Sequence, residues 1–237
     1  MVNMTEKYCD CCGCEEAVSL PLIGDKAPEF EALTTNGPVK FPADYKGKWV
    51  ILFSHPADFT PVCTTEFIAF ATMEEDFKKL NTELIGLSID GLFSHIAWVK
   101  EIKDNIEYKG HKGVEIKFPI IEDISMNVAK KYGMLQPGAS DTKAVRAVFI
   151  IDPKGVVKAL LYYPLSAGRN MAEIKRLLQA LQLNEKEGVA TPANWVPGDD
   201  IVIPPPTTFA DAQERDAWKN DPSKKYASWF LVTKEHK

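Results

Sequence analysis

The sequence predicts an α/β fold with a mixed central sheet flanked by helices. Two observations carry that expectation. Short, continuous apolar runs, Trp49-Val50-Ile51-Leu52-Phe53 first among them, read as strands buried on both faces. Between these runs, apolar residues recur every three or four positions, the mark of helices with one apolar face. Composition agrees: 237 residues, 45% hydrophobic and 26% charged, suit one globular core domain plus an extension.

The elements follow in order. Residues 1–20 are a polar, irregular tail in which Cys9, Cys11, Cys12 and Cys14 crowd together. A regular alternation begins at Asp25. After the strand at 49–53, a helix over about 63–80 places Phe67, Phe70, Met73, Phe77 and Leu80 on one face. A second buried strand spans 83–90, and Ser94 is placed to cap a helix through Trp98, Ile102 and Ile106. Beyond Phe118-Pro119-Ile120-Ile121, Ser125 is placed to cap a short helix that Gly133 ends. Two strands, 145–151 and 156–163, join across the turn Asp152-Pro153-Lys154-Gly155, and 171–183 is a last amphipathic helix. This order, with right-handed crossovers between parallel strands, fits a thioredoxin-like sandwich.

Past residue 186 the composition shifts. Pro192, Pro197, Pro204, Pro205, Pro206 and Gly198 do not build another α/β unit, yet Trp195, Ile201, Phe209, Trp218, Tyr226, Trp229 and Phe230 are too apolar for a disordered tail. Such a segment needs a surface to cover, either its own core or a neighbouring subunit. The expected division is a cysteine-rich tail over 1–20, a core domain over 21–185 and an extension over 186–237.

Charge narrows the partners. A net charge of −5 without a basic cluster argues against nucleic acid and anionic membrane surfaces. No apolar stretch approaches the ~20 residues that span a bilayer, and no signal-peptide core is visible, so the expected setting is the cytoplasm. Cys63 stands alone in the body of the chain, which fits a reducing compartment.

Cys63 is the candidate centre of the chemistry. It falls in the first turn of the helix that follows the 49–53 strand, where unpaired backbone N–H groups and the helix dipole favour an anion. Pro56 and Pro61 flank the turn and stiffen it, and Pro61 suits an early helical position that needs no N–H. Pro56, Thr60 and Cys63 form a P-x-x-x-T-x-x-C pattern. The longer string FSHPADFTPVCTTEF resembles the one-cysteine branch of the peroxiredoxins, and the similarity runs from Pro21 to Thr208.

That resemblance implies a thiol-dependent peroxidase. Cys63 attacks hydrogen peroxide or a small organic hydroperoxide and becomes a sulfenic acid, with no metal or organic cofactor. It also implies an external thiol as reductant, thioredoxin-like or small, and a homodimer that assembles into rings such as a decamer, with the C-terminal segment across the dimer interface. Ionising a thiol of pKa ~8.5 gains only ~30-fold at pH 7, whereas enzymes commonly supply ~10⁶-fold or more. Donors aimed at the peroxide oxygens must provide the rest. Thr60, three residues before the sulfur, is placed to offer its hydroxyl. Arg146 is a permanent charge within a strand pattern, costly there unless paired, and its position matches the family's active-site arginine.

Supporting roles fall to four more residues. By resemblance, Pro56 shields the sulfur, His55 hydrogen-bonds the thiol or its oxidised form, and Arg169 lies near the site. Glu66 is placed to pair with Arg146, or simply to satisfy the helix start. The segment Cys9-Asp10-Cys11-Cys12-Gly13-Cys14 holds two overlapping C-x-x-C spacings, open to three readings: a resolving arm, a soft-metal site or a passive tail.

Rival functions fit less well. A dithiol oxidoreductase needs a cysteine three after Cys63, where Glu66 stands, and the run Gly86-Leu87-Ser88-Ile89-Asp90 lacks the closing glycine of a serine hydrolase elbow. A redox-controlled chaperone or peroxide sensor using Cys63 is the alternative function.

Overall fold

The computed structural model describes residues 20–140 and 142–236. The cysteines of the tail lie outside them. The core is a seven-stranded mixed sheet, and its strands appear in chain order as β1 (Phe30–Thr34), β2 (Gly37–Phe41), β3 (Trp49–Ser54), β4 (Thr82–Ser88), β5 and β6 (Glu107–Tyr108 and His111–Lys112, a separate hairpin), β7 (Ile120–Glu122), β8 (Arg146–Ile151) and β9 (Val157–Tyr163). The order across the sheet is β2-β1-β7-β4-β3-β8-β9. Strands β3, β4 and β7 run parallel, and β8 joins β3 antiparallel, with Val50 opposite Ile151 and Phe53 opposite Val148.

All six residues of β3 are buried, as its unbroken apolar run requires. Alternate side chains enter opposite layers. Val50 and Leu52 join Phe149, Ile151, Val128 and Tyr132 on one face, whereas Ile51 and Phe53 join Cys63, Phe67, Phe70, Trp98, Ile174 and Leu178 on the other. The second layer is built by α1 (Pro61–Thr72), α2 (Glu74–Lys79), α3 (Leu92–Asn105) and the long α5 (Met171–Glu187), while the short α4 (Asn127–Lys131) serves the first. Phe53, Phe67, Phe70 and Phe77 are each fully buried, and each such side chain contributes about 1.5–3 kcal/mol.

Three local expectations change. The helix expected over 63–80 is two helices, interrupted at Met73, and Glu74, Glu75 and Asp76 start the second where the dipole favours acids. Ser94 is not a cap. Gly91 holds that position and Ser94 lies in the first turn of α3, because the helix starts early enough to carry His95 to buried partners, the Asp58 carboxylate and the Ile121 carbonyl. Nor does Ser125 cap α4. The Asp123 carboxylate accepts from the N–H groups of Val128 (3.1 Å) and Ala129 (2.7 Å) in its place. Gly133 does end α4, at φ +61°: its N–H reaches Lys130 O and that of Met134 reaches Ala129 O, the two bonds of a Schellman closure.

The extension packs on its own domain through the end of α5. Ala180 and Leu183 meet Trp195 and Ile201, both buried. A small sheet follows, β10 (Ile201–Val202), β11 (Lys225–Ser228) and β12 (Leu231–Lys234) in the order β10-β12-β11, with α6 (Phe209–Arg215) beside it. Phe209, Trp229, Phe230 and Leu231 remain exposed.

Chemical denaturation of two variants tests the capping assignment. Asp123→Ala is expected to cost about 1–2 kcal/mol, whereas Ser125→Ala, on an exposed residue, should stay within about 0.5 kcal/mol of the parent. Equal costs would return the cap to Ser125.

Candidate active site

The site sits where β3 ends and α1 begins. At the end of the strand, Ser54 donates to Val145 O (2.6 Å) and accepts from Ala147 N–H (3.1 Å), fastening β3 to β8 just beyond their paired residues. The chain then runs through His55 and Pro56, both buried, to Phe59, whose φ of +55° is uncommon for a bulky side chain. Surrounding structure has to hold that conformation in place. Thr60 is the N-cap of α1, Pro61 its first residue, and Cys63 lies in its first turn with the residue fully buried. Because Pro61 has no N–H, Val62 and Cys63 carry the first free donors of the helix.

Arg146, the first residue of β8, directs Nη1 at Cys63 Sγ (3.3 Å). The same nitrogen donates to Glu66 Oε2 (2.6 Å), and Nε and Nη2 both bond Leu165 O. Arg169 completes the arrangement. Its backbone N–H and Nε donate to Glu66 Oε1, its Nη2 to Oε2, and its Nη1 to the carbonyls of Ser54 and Ala147. The guanidinium also lies over the rings of Phe53 and Phe70. Glu66 is thus a buried carboxylate held by four donors from two arginines. Burial, the largest single influence, pushes its carboxyl up, but the charges and hydrogen bonds of Arg169 and then Arg146 outweigh it and hold it below its ordinary value. Of its two expected roles, the geometry favours pairing with arginine.

Two placements differ from expectation. The Thr60 hydroxyl donates to Ala57 O (2.8 Å), so it meets any ligand with lone pairs and not with its proton. His55 makes no hydrogen bond to Cys63. Its Nε2 pairs with Asp58 Oδ1 (2.8 Å), its Nδ1 is buried without a partner, and its ring stacks on Trp98 and meets Phe67 edge-on. Asp58 in turn pairs through Oδ2 with His95 Nδ1 (2.8 Å). Burial lowers the His55 imidazole below its usual value despite Asp58. Burial opposes ionisation of Asp58 too, but the bonds from His55 and His95 outweigh it and hold the carboxyl well below the usual range. Asp58 and His95 escaped the sequence reading. Their only trace there was a histidine three residues before Trp98 on the buried face of α3. The three side chains also carry the donor set of a metal site, with N and O atoms within 4.8 Å of one another.

This fold and site define a thioredoxin-like enzyme built around one buried cysteine paired with arginine. Comparisons with known proteins agree. The AhpC/TSA family pattern matches residues 23–160, and that of the C-terminal domain of 1-Cys peroxiredoxin matches residues 180–216. A peroxiredoxin of Methanosarcina mazei is 64% identical over 216 residues, covering 91% of this chain and 98% of that protein. One from Aquifex aeolicus is 54% identical over 230 residues, covering 93% and 99%. The solved structure of a yeast mitochondrial 1-Cys peroxiredoxin superposes with a TM-score of 0.77 at 38% identity, covering 92% of this chain and all of that one. The chain belongs to the AhpC/TSA family, the peroxiredoxins, and is a thiol-dependent peroxidase.

The charge cluster has a measurable cost when broken. Glu66→Gln leaves two buried guanidinium groups without their counter-ion and should destabilise the protein by about 3–5 kcal/mol. Acid should have a related effect. Glu66 and Asp58 ionise at lower pH when folded than when unfolded, so their contribution is complete above the unfolded value of ~4 and is lost as pH falls below it. Urea midpoints measured from pH 6 to pH 3 should therefore fall, and fall less steeply in Glu66→Gln. Parallel slopes in the two proteins would remove Glu66 from that account.

Proposed function

We propose that Cys63 is the peroxidatic residue and that hydrogen peroxide and small organic hydroperoxides are its substrates. The observation that carries this reading is the 3.3 Å approach of Arg146 Nη1 to Cys63 Sγ, with the guanidinium held by Glu66 and Leu165 O. A fixed cation there favours negative charge on sulfur and then on the departing oxygen. The thiolate attacks one peroxide oxygen, an S–O bond forms, and the O–O bond breaks. The leaving oxygen takes a proton and departs as water or an alcohol, while sulfur is oxidised to sulfenic acid.

Each neighbour has a role in this scheme. Thr60, whose own proton goes to Ala57 O, accepts the O–H of the incoming hydroperoxide and orients it. The N–H groups of Val62 and Cys63 face the developing oxyanion. Pro56, buried beside the site, keeps water from the sulfur. Glu66 and Arg169 hold Arg146 in position. A thioredoxin-like protein or a small thiol returns the sulfenic acid to thiol. In the same reading the enzyme is cytoplasmic and works as a homodimer able to form rings, with the exposed Phe209, Trp229, Phe230 and Leu231 available to the partner. No helix among the described residues is long and apolar enough to cross a membrane.

The tail cysteines bear on the resolving step. Cys63 is the only cysteine among the described residues, so any resolving thiol within the chain is one of Cys9, Cys11, Cys12 and Cys14. Mass spectrometry after one equivalent of peroxide, on the full chain and on a variant lacking 1–20, separates the routes. A disulfide between Cys63 and the tail makes the tail the resolving arm. A sulfenic or sulfinic adduct on Cys63 in both forms leaves the external thiol as the sole route.

Two substitutions test the chemistry. Cys63→Ser should abolish peroxide turnover, and retained activity sinks the proposal. Arg146→Lys keeps the charge but loses the fork, so the second-order rate of Cys63 oxidation should fall by about a hundredfold.

A further inference from the structure

His55, Asp58 and His95 form a chain of three hydrogen bonds, and each bond needs a proton. His95 Nε2 lies 3.1 Å from Ile121 O, an acceptor only, so Nε2 carries hydrogen. His95 Nδ1 lies 2.8 Å from Asp58 Oδ2, and His55 Nε2 lies 2.8 Å from Asp58 Oδ1. An ionised carboxylate and two neutral imidazoles bring one proton per ring, two in all, and the three bonds require three. Asp58 and both histidines are buried, with the histidines fully so, and no water-facing side chain interrupts the chain. We infer that a third proton is held in the Asp58–His95 bond, and that these two residues thereby fix His55 as the tautomer bearing hydrogen on Nε2 and a bare lone pair on Nδ1.

The consequence lies at Nδ1. That atom is buried and has no protein partner, and the His55 ring packs on Phe67 and Trp98, which share one apolar cluster with Cys63. In the fixed tautomer Nδ1 accepts a hydrogen bond and donates none. A group arriving there during turnover must therefore bring its own proton, as an O–H or S–H does. Asp58 bonds His55 and His95 bonds Asp58, neither of them bonding the Cys63 sulfur, so they are positioning residues acting through His55. The lowered imidazole of His55 agrees with a neutral ring, and the Ile121 carbonyl, by taking the Nε2 hydrogen of His95, puts the additional proton between His95 and Asp58.

Asp58→Asn gives the inference a sharp edge. An amide in that position accepts from His55 Nε2 with its oxygen and donates to His95 Nδ1 with its nitrogen. All three bonds then form with both imidazoles neutral, and the third proton is no longer needed. The opposite amide orientation fails, because it sets two lone pairs against each other at His95.

Long-range ¹H–¹⁵N spectra of the intact, histidine-labelled protein test this directly. The four histidines are assigned with His111 and His236 substituted in turn. In the parent protein, His55 should show one protonated and one bare nitrogen, Nε2 and Nδ1 in that order. His95 should show hydrogen on both nitrogens, or a proton shared at Nδ1. In Asp58→Asn, His55 should keep its tautomer while His95 becomes neutral with a bare Nδ1. His95→Leu should lower the rate of Cys63 oxidation by roughly tenfold to a hundredfold, and Asp58→Asn should recover most of the rate that Asp58→Leu loses. A neutral His95 beside an ionised Asp58 in the parent, or His55 protonated on Nδ1, overturns the inference whatever the variants do. So does one equivalent of tightly bound divalent metal in the purified protein, since an ion would then occupy the place given to the proton.

Discussion

Glu66 has nowhere to put its charge except against Arg146 and Arg169, and they have nowhere else to put theirs. A buried carboxylate between two buried guanidinium groups is tolerable only when every donor and acceptor is satisfied. Here the backbone helps to satisfy them: Leu165 O takes two bonds from Arg146, while Ser54 O and Ala147 O take one each from Arg169. The reactive sulfur is set beside the Arg146 nitrogen that also holds Glu66. Its surroundings are thus decided by an ion cluster whose members come from α1, β8 and the loop before α5.

The sheet makes that meeting possible. Position 66 is separated from 146 by 80 residues and from 169 by 103. Such distant charges come together only because β8 lies antiparallel against β3, so that the start of one strand reaches the end of the other. Ser54 bonds Val145 O and Ala147 N at that point and carries the pairing past the last ladder residues. The extended backbone there offers Arg169 two carbonyls at once. Packing and polar order are therefore coupled: the aromatic layer of Phe53, Phe67 and Phe70 beneath the cluster also provides faces for the Arg169 guanidinium.

Much of this was legible in the sequence, for identifiable reasons. Trp49–Ser54, Cys63 and Arg146 carry signals that are local: an unbroken apolar run, a proline-flanked turn, a charge in a strand. What escaped depends on which partner each group meets, near or far in the chain. The early start of α3 is set by where His95 must go, and the cap of α4 by a carboxylate four residues before the helix. The β1–β2 hairpin carries a weak signal: Asn36-Gly37 marks its turn, but Pro38 interrupts the strand pattern beside it. The direction of the Thr60 proton depends on Ala57 O, a neighbour in space that spacing alone does not single out. The exposed aromatic residues of the extension were legible as apolar, but which of them its own core would bury was not; Trp195 and Ile201 are, and Phe209 is not.

The full burial of Cys63 also bears on which molecules can exchange electrons with it. Reduction potential ranks thiols by driving force, but a sulfur enclosed by α1, β3 and an aromatic layer ranks them first by girth. A bulky reductant needs a wider opening around the buried Cys63 than a slender thiol does, so two reductants of equal potential can differ widely in rate.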